Sequence, residues 1–574
     1  MTQLKTVYPV SDVPFPEYPR PQEERKDWLN LNGVWKFAKV KQGNEPTRYE
    51  NIVVPYSPET ISSGIGNGFV LQKGEMLVYR RNFTLSIDGE KTVLLHFGAV
   101  DSFCQVFING KKAGEHSCGY TAFTLDITPF VQNGENEIRV HVTDEFEHGA
   151  KGKQSHKRGG IWYTAQSGIW QTVWLETVCA NYIRNLKYNI HFEKKAVEIC
   201  AYSNGLDQEL RIYDGNREIA HANFVQKTLI TYNFIPWSPE NPKLYTVIIT
   251  NANGDEVRSY FGFRSFGMGK DKHGKPRLLL NGKPYFYSGV LDQGYWCEGL
   301  LTPPCDQAML NELILLKKMG FNTVRKHIKI EPMRWYYHCD RLGLVVWQDF
   351  VNGGGEYKFS HIAALPFLGF HHKDDDYKYF ARENAQGRRE FMQMADDTIE
   401  QLFNCPCIGM WVIFNEGWGQ FDSYTFTLRV KKLDPSRIID SVSGWHDQGV
   451  GKNTLKSLHT YYTRLKVPPD PRPVILSEFG GYSLKCKGHV FDERKNFGYK
   501  KFKFRKDYNK AIEKLFRKKI KPLIKQGLCG SIYTQVSDVE EEINGLVTYD
   551  RKIVKADEKL LKTLNEELYA EIKK

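Results

Sequence analysis

The sequence predicts a multidomain protein in which two β-sandwich domains precede a C-terminal (β/α)8 TIM barrel. Three observations support this fold class: a length of 574 residues, short alternating strands without helices as far as residue 266, and alternation of strands with helices after it. The chain is far longer than a typical domain of about 100–200 residues. We therefore predict a jelly-roll β-sandwich over residues 1–180, an immunoglobulin-like β-sandwich over 181–266 and a (β/α)8 barrel over 267–574.

The two sandwiches are predicted from short runs in which apolar and polar residues alternate. Runs such as TVLLHFG, QVFING and NEIRVHV are separated by Asn-Gly pairs at 109–110 and 133–134. A period of two indicates half-buried strands, and Asn-Gly favours tight hairpin turns. No amphipathic helical pattern occurs between residues 28 and 178, which favours a jelly roll. The next β stretch, 181–266, has the size of an immunoglobulin-like sandwich.

The barrel is predicted from eight apolar runs that alternate with helical patterns after residue 267. In chain order the runs are YFYSGV, FNTVR, LVVWQDF, IGMWVIFNE, RIIDSVS, LKSLHTYY, PVILSEFGG and CGSIYTQVS. Alternation of this kind over roughly 300 residues is typical of eight parallel strands surrounded by helices. The loop over 352–386 is too long for a plain connection, which indicates that it shapes a site.

Two glutamates at strand ends are the strongest candidates for chemistry. Asn415 and Glu416 close the fourth apolar run, and Glu478 closes the seventh. An unpaired carboxylate in a core is costly, so we expect both at the barrel mouth, where such barrels have their active sites. A facing pair favours glycoside hydrolysis, with one group protonating the leaving oxygen and the other attacking the anomeric carbon from ~5–5.5 Å. The alternative is that one glutamate only pairs with an arginine.

Composition restricts the other classes of function. Hydrophobic residues make up 41% and charged residues 25% of the chain, which is ordinary for a globular protein. No run approaches the ~18 apolar residues of a membrane span, and the first 28 residues lack the apolar region of a signal peptide. The eleven cysteines are an odd number, and we interpret them as reduced thiols. We predict a cytoplasmic protein with no membrane partner, no metal and no other cofactor.

The positive charge is concentrated in one segment. The net charge is +12, and residues 493–525 contain 14 basic and 3 acidic residues. In the second half of this segment, helical spacing places Ile512, Leu515, Phe516 and Ile520 on one face. We therefore predict that this half forms the solvated outer helix before the eighth strand. Nucleic-acid binding is the alternative because lysines alternate with phenylalanines at the start of the segment, but basic clustering alone is a weak signal. We predict no nucleic-acid partner.

Six motifs in order along the chain resemble those of glycoside hydrolase family 2, which includes β-galactosidases, β-glucuronidases and β-mannosidases. The motifs are LNGVWKF, SGIWQTVWLE, WSPENPKLYTV, LNGKPYFYSGV, NCPCIGMWVIFNEGW and LSEFGG. The resemblance covers nearly the whole chain. It implies that Glu416 is the acid/base and Glu478 the nucleophile of a retaining enzyme.

Further residues are candidates for sugar contacts. Asn415 is expected to bond the sugar 2-hydroxyl, a contact that strengthens in the transition state. Tyr461 matches a family tyrosine beside the nucleophile, and Tyr533 lies where the eighth strand presents an aromatic platform. The family pattern Arg-x-Ser-His-Tyr-Pro is altered here, which leaves the role of His327 open. Core packing is the alternative role for Tyr461 and Tyr533, and capping of a turn is the alternative for Asp292. The substrate-binding candidates are Asn415, Tyr461, Tyr533, His327, Asp292, Trp418 and His459.

These observations predict a retaining exo-glycoside hydrolase that acts on a terminal neutral sugar through a glycosyl-enzyme intermediate. The stretch VEEEINGLVTYDRK lacks the Asn-x-Lys pair that glucuronidase relatives use, and its glutamates 540–542 would repel an anion. A β-galactoside is the first choice. The alternatives are β-glucuronidase, β-mannosidase or α-L-arabinopyranosidase activity, or a non-catalytic carbohydrate-binding protein. The expected partner is a small carbohydrate, and the resemblance permits a homo-oligomer.

Overall fold

The first β-sandwich consists of two sheets that share one hydrophobic core. The computed structural model describes residues 4–66, 68–144, 148–451 and 454–574. In sheet order, the four-stranded antiparallel sheet contains Trp28–Asn30, Val173–Cys179, Lys91–Phe97 and Phe123–Asp126. The six-stranded antiparallel sheet contains Glu50–Val54, Gly33–Lys41, Glu75–Leu85, Gly134–Thr143, Phe103–Ile108 and Lys111–Ser117.

Alternating burial explains why these residues form strands. In the strand Gly134–Thr143, the side chains of Ile138, Val140 and Val142 are buried in the core and their neighbours are partly exposed. This is the period-two pattern on which the sandwich was predicted. Two short ladders complete the region: Val100–Asp101 with Gly168–Ile169, and Gln154–Ser155 with Tyr163–Thr164.

The second sandwich has its own core and follows directly. Its strand Tyr245–Asn251 buries every second residue. One sheet contains Asn185–His191, Ala196–Tyr202 and Lys227–Thr231. The other contains, in sheet order, Arg217–Phe224, Gln208–Asp214, Tyr245–Asn251 and Glu256–Phe261. A small sheet of Phe266–Lys270, Pro276–Leu280 and Lys283–Pro284 leads into the barrel.

Eight parallel strands form a near-closed barrel, as predicted. They are β1 (Tyr287–Asp292), β2 (Thr323–Lys326), β3 (Val345–Asp349), β4 (Ile408–Asn415), β5 (Ile438–Ser443), β6 (Lys456–Thr460), β7 (Val474–Gly480) and β8 (Leu528–Thr534). The ladders run in the order β5-β4-β3-β2-β1-β8-β7-β6. Most of their residues are buried on both faces, as is typical of parallel strands under a helical layer. An accessory pair, Tyr482–Leu484 and Lys500–Phe502, follows β7.

Helices cover the barrel. The α-helices are Asp306–Lys318, Met333–Leu342, Leu365–Phe367, Ala385–Leu402, Ser423–Leu433, Arg505–Leu515, Lys521–Ile524 and Glu558–Ile572, with π-helical turns at Ser360–Ala364 and Phe516–Ile520 and 3-10 turns at Pro21–Glu23, Thr128–Phe130 and Phe192–Lys194. The second half of the basic segment is helical as predicted, with Ile512 and Ile520 buried and Lys510 and Lys514 exposed. Among the helices described, none is both long and apolar enough to traverse a bilayer.

A loop of the first sandwich reaches the barrel mouth. Ala150 forms an isolated bridge with Gly353, and the backbone N–H groups of Lys151 and Gly152 donate to the carbonyl of Asn352. A Cβ atom at Gly353 would come within 1.9 Å of the carbonyl oxygen of residue 149. Glycine at this position is therefore required for the close approach, and the loop contributes residues to the barrel mouth.

Candidate active site

The two predicted glutamates lie together at the barrel mouth. Glu478 lies within β7, and Glu416 follows β4 directly in a left-handed conformation (φ 49°). Such a backbone conformation is unfavourable for a residue with a side chain and clusters at functional sites. One oxygen of each carboxyl group and a ring nitrogen of His459 lie within 4.8 Å of one another. The two carboxyl groups are therefore close enough to act on the same bond of a substrate.

Glu478 is surrounded by groups that favour its ionised form. Arg325 Nη1 lies 3.2 Å from Oε1, and the hydroxyl of Tyr461 donates to Oε2. Burial would raise the pKa of Glu478, but the charges of His459 and Arg325 and the hydrogen bond from Tyr461 lower it to about 2. Glu478 is therefore a carboxylate at neutral pH.

Glu416 has the opposite environment. Its burial and the negative charge of Glu478 raise its pKa, and only part of this effect is offset by His459 and Lys153. Oε1 lies 2.6 Å from Nδ1 of His459. The other ring nitrogen, Nε2, lies 2.9 Å from the hydroxyl of Ser443, which donates onward to another serine. His459 thus joins Glu416 to the serine pair through its two ring nitrogens.

Arg325 is the main residue of the site that sequence reasoning missed. It lies in β2 with no exposed surface. Its guanidinium binds both oxygens of Asp349, at 2.9 and 3.0 Å, and donates to Oδ1 of Asn415 at 2.8 Å in addition to Glu478. A signal was available, because an arginine inside a buried strand must have buried acceptors.

Three predicted substrate-binding residues lie next to this centre, and two of them have a buried polar atom without a partner among the described residues. Asn415 uses Oδ1 for Arg325, and among the described residues its buried Nδ2 has no partner. Trp418 packs against the ring of Trp162 at 5.2 Å, and within the same residues its buried Nε1 is also unpaired. His327 is held by Asp349, 2.6 Å from Nδ1. Buried donors without acceptors are rare in proteins, so both N–H groups are available to a ligand.

Asp292 and Tyr533 were expected near the sugar, and the structure places them elsewhere. Asp292 is buried, and both its oxygens are used, by Lys326 at 2.6 Å and by the backbone N–H of Gly294 at 2.8 Å. The ring of Tyr533 packs between Phe479 and Phe516, on the side of the helical layer. Successive side chains of a strand point to opposite faces, so a position near a strand end does not by itself aim a side chain into the mouth.

Lys153 enters the site from the first sandwich and was not predicted. Its side chain is 6% exposed, and its ammonium lies over the rings of Tyr163 and Trp418 at 5.3 and 5.6 Å. Burial is the main cause that lowers the pKa of His327, and the charge of Lys153 lowers it further. The same charge opposes part of the rise in the pKa of Glu416. Within the described ranges the ammonium forms no hydrogen bond or ion pair. No spacing in the sequence distinguishes it from the other basic residues of its loop.

The acidic triplet after β8 faces the first sandwich. Glu540 accepts from the backbone N–H of Thr164 at 3.0 Å, and Glu542 accepts from the hydroxyl of Tyr163. Both glutamates are buried. Two of the three residues that were expected to repel an anion are therefore engaged in contacts between regions.

Glu416, His459 and Glu478 also have the composition of a metal site. In this structure the two imidazole nitrogens of His459 lie within hydrogen-bond distance of Glu416 and of Ser443.

Family models match three parts of the chain. The model described as glycosyl hydrolases family 2, TIM barrel domain, matches residues 274–568. The galactose-binding domain-like model of the same family matches 70–194, and a further family 2 model matches 173–264. The first match alone covers more than half of the chain.

Named relatives agree with the family and differ in activity. The chain is 24% identical over 493 residues to a putative β-glucuronidase of Formosa agariphila, covering 76% of this chain and 55% of that protein. It is 25% identical over 502 residues to a β-galactosidase of Thermoanaerobacter pseudethanolicus, covering 81% and 61%. The chain thus spans little more than half the length of these curated relatives.

Solved structures share the fold across the whole chain. A β-D-glucuronidase of Dictyoglomus thermophilum superposes with a TM-score of 0.74 at 18% identity, covering 96% of this chain and 98% of that one. A β-galacturonidase of Eisenbergiella tayi gives 0.69 at 16%, covering 96% and 99%. On the strength of the family models and the shared architecture, this chain belongs to glycosyl hydrolase family 2.

Proposed function

We propose that the protein is a retaining exo-glycosidase with Glu416 as acid/base and Glu478 as nucleophile. The observation that carries the proposal is a pair of carboxyl groups with oxygens within 4.8 Å and pKa values shifted in opposite directions. Two carboxyl groups whose environments separate their pKa values are the usual basis of acid and base assignments. Family membership supports the same roles.

The first step forms a glycosyl-enzyme. Glu416 gives its proton to the glycosidic oxygen while a carboxylate oxygen of Glu478 attacks the anomeric carbon and the bond to the leaving group breaks. Arg325 and Tyr461 hold the attacking carboxylate in place before the reaction. The free N–H groups of Asn415 are available for the sugar 2-hydroxyl.

The second step hydrolyses this ester. Once Glu478 is esterified its negative charge is gone, so the pKa of Glu416 falls and Glu416 can accept a proton from water. The resulting hydroxide attacks the anomeric carbon, the ester bond breaks, and Glu478 is regenerated as a carboxylate. His459, whose Nδ1 lies 2.6 Å from Oε1 of Glu416, holds that group in position in both steps.

For the sugar, a neutral pyranoside with β-galactoside first remains the prediction from the sequence. It is supported by the absence of an Asn-x-Lys pair after β8 and by the β-galactosidase named among the relatives. Activity on β-mannosides or α-L-arabinopyranosides would use the same catalytic pair.

A β-uronide is the second candidate, and Lys153 is the observation that favours it. The Lys153 ammonium lies beside aromatic rings and has no acceptor among the described residues, so an anionic group of a ligand can pair with it. The carboxylate of a uronic acid would do so, and the engagement of Glu540 and Glu542 by the first sandwich lessens the repulsion. The nitrophenyl β-D-galactoside and β-D-galacturonide separate the two candidates, because they differ only at carbon 6.

Chemical rescue tests the catalytic roles and the non-catalytic alternative together. Glu478→Ala should lose activity, and azide should restore it with an inverted glycosyl azide as product. Glu416→Ala should retain activity on substrates with good leaving groups, and azide should give the retained product. A native protein that binds sugars but cleaves none of a panel of nitrophenyl glycosides would instead be a carbohydrate-binding protein.

A further inference from the structure

We propose that a continuous row of aromatic side chains beside the catalytic pair is a binding site for an aryl aglycone. We call this row the aromatic wall, and it rests on the proposed glycosidase function. Its members, in order of contact, are Tyr461, Tyr499, Tyr462, Phe367, Trp445 and His459.

The wall starts at the nucleophile. Tyr461, whose hydroxyl donates to Glu478, stacks on Tyr499 with ring centroids 3.7 Å apart and planes 1° from parallel. Tyr499 in turn contacts Tyr462 at 5.6 Å, and Tyr462 contacts Phe367 at 6.4 Å. The row thus leads from the reacting carboxylate outward to the loop after β3.

The wall returns to the acid/base. Phe367 packs edge-on against Trp445 at 4.9 Å, and Trp445 lies 5.6 Å from the imidazole of His459. His459 is bonded to Glu416. The two ends of the wall are therefore fixed to the two catalytic carboxyl groups, and any group attached to the anomeric centre must lie close to it.

Exposure increases along the wall from the catalytic pair to the rim. Trp445 is 8% exposed, whereas Phe367 is 41% and Tyr462 is 66% exposed, and Leu368 beside them is 75% exposed. Adjacent exposed apolar side chains of this kind mark a binding surface more often than scattered single ones do. Phe367 belongs to the 352–386 loop, whose length already indicated that it shapes a site.

The chemistry of the wall selects the leaving group over the sugar. The free amide N–H groups of Asn415 at the centre suit a sugar hydroxyl group and lie outside the wall. The rim consists of ring faces and of the hydrocarbon side chains of Phe367 and Leu368. Aromatic groups prefer offset-stacked or edge-to-face partners, so we commit to an aryl group as the occupant.

Inhibition by thioglycosides tests the proposal, because a sulfur link removes differences in leaving-group reactivity. The probes are methyl and 2-phenylethyl 1-thio-β-D-galactopyranoside, or the same pair on the glycone that the native enzyme cleaves. We expect the native enzyme to bind the phenylethyl compound at least about tenfold more tightly, from burial and stacking of one ring. The readout is the ratio of the two inhibition constants.

Two variants of the same loop region provide the comparison. In the double variant Phe367→Ala, Tyr462→Ala we expect the ratio to fall at least about fivefold, because two ring contacts are removed. Phe359→Ala is the matched control, since Phe359 lies on the same loop, is 75% exposed and has no ring contact with the wall among the described residues. We expect this control to keep the native ratio.

Several outcomes would overturn the proposal. An unchanged ratio in the double variant would show that the wall does not bind the aglycone. A hexyl thioglycoside that binds as tightly as the phenylethyl one would indicate an alkyl site, and a tighter thio-linked disaccharide would indicate a sugar subsite. A change from oligomer to monomer in the double variant would indicate a subunit contact.

Calorimetry keeps this inference separate from the proposed function. Binding of the two thioglycosides to Glu478→Gln can be measured whether or not the native protein is active. A native protein that cleaves no glycoside would refute the proposed function. An active enzyme whose variants show no change in the ratio would refute only the aglycone site.

Discussion

Neutralising Glu478 should lower the pKa of Glu416, and the size of the effect follows from their separation. With carboxylate oxygens within 4.8 Å and an effective dielectric constant of about 20, their interaction is worth about 3 kcal/mol. That energy corresponds to about a hundredfold increase in the acid dissociation constant of Glu416. The perturbation that achieves it without a mutation is trapping of Glu478 as a 2-deoxy-2-fluoroglycosyl ester.

Two pH profiles measure the two states. In the free enzyme, kcat/KM falls at high pH when Glu416 loses the proton it must donate. In the trapped enzyme, the rate of reactivation by water falls at low pH when Glu416 gains a proton and can no longer act as a base. We expect the reactivation limb at a clearly lower pH than the kcat/KM limb, and Glu416→Ala should remove both limbs. Coincident limbs would refute the electrostatic coupling of the pair.

Three further predictions concern residues away from the reacting atoms. Lys153→Met should reduce kcat/KM on nitrophenyl β-D-galacturonide more than on the galactoside if the uronide candidate is correct, and equal losses would argue against it. Replacing the exposed Lys510, Lys514 and Lys518 by Glu should leave kcat/KM on a neutral glycoside unchanged, since exposed charges are screened within ~8–10 Å. Burial would raise the pKa of Glu176, but Arg20 and Arg25 hold it below its usual range. Its stabilisation is therefore present above about pH 4.3 and lost as the pH falls, so Glu176→Gln should lower the unfolding temperature at pH 7 and progressively less at lower pH.

The position of the two glutamates at the barrel mouth could be predicted from the sequence because local rules determine it. A carboxylate that follows a run of buried apolar residues is expected at a strand end; Glu416 directly follows β4, and Glu478 lies near the carboxyl end of β7. The barrel could also be predicted, because strands and helices differ in the spacing of their apolar residues and the two patterns alternate along this part of the chain.

Residues whose role depends on tertiary contacts could not be predicted in this way. Lys153 belongs to the first sandwich, in the loop whose Ala150 contacts Gly353 of the barrel. No periodicity in the sequence reveals this contact. Tyr533 and Asp292 were misplaced because a strand directs its side chains alternately into the mouth and toward the helices. Arg325 was overlooked although its burial in β2 required carboxylate partners.

The stereochemistry of the first product tests the central claim most directly. Proton NMR of the hydrolysis of a nitrophenyl β-glycoside, recorded before mutarotation, distinguishes the two anomers of the released sugar. With the carboxyl oxygens of Glu416 and Glu478 within 4.8 Å of each other, two successive displacements should give the β anomer first. Initial release of the α anomer would show that water attacks directly, and it would contradict the assignment of Glu478 as the nucleophile.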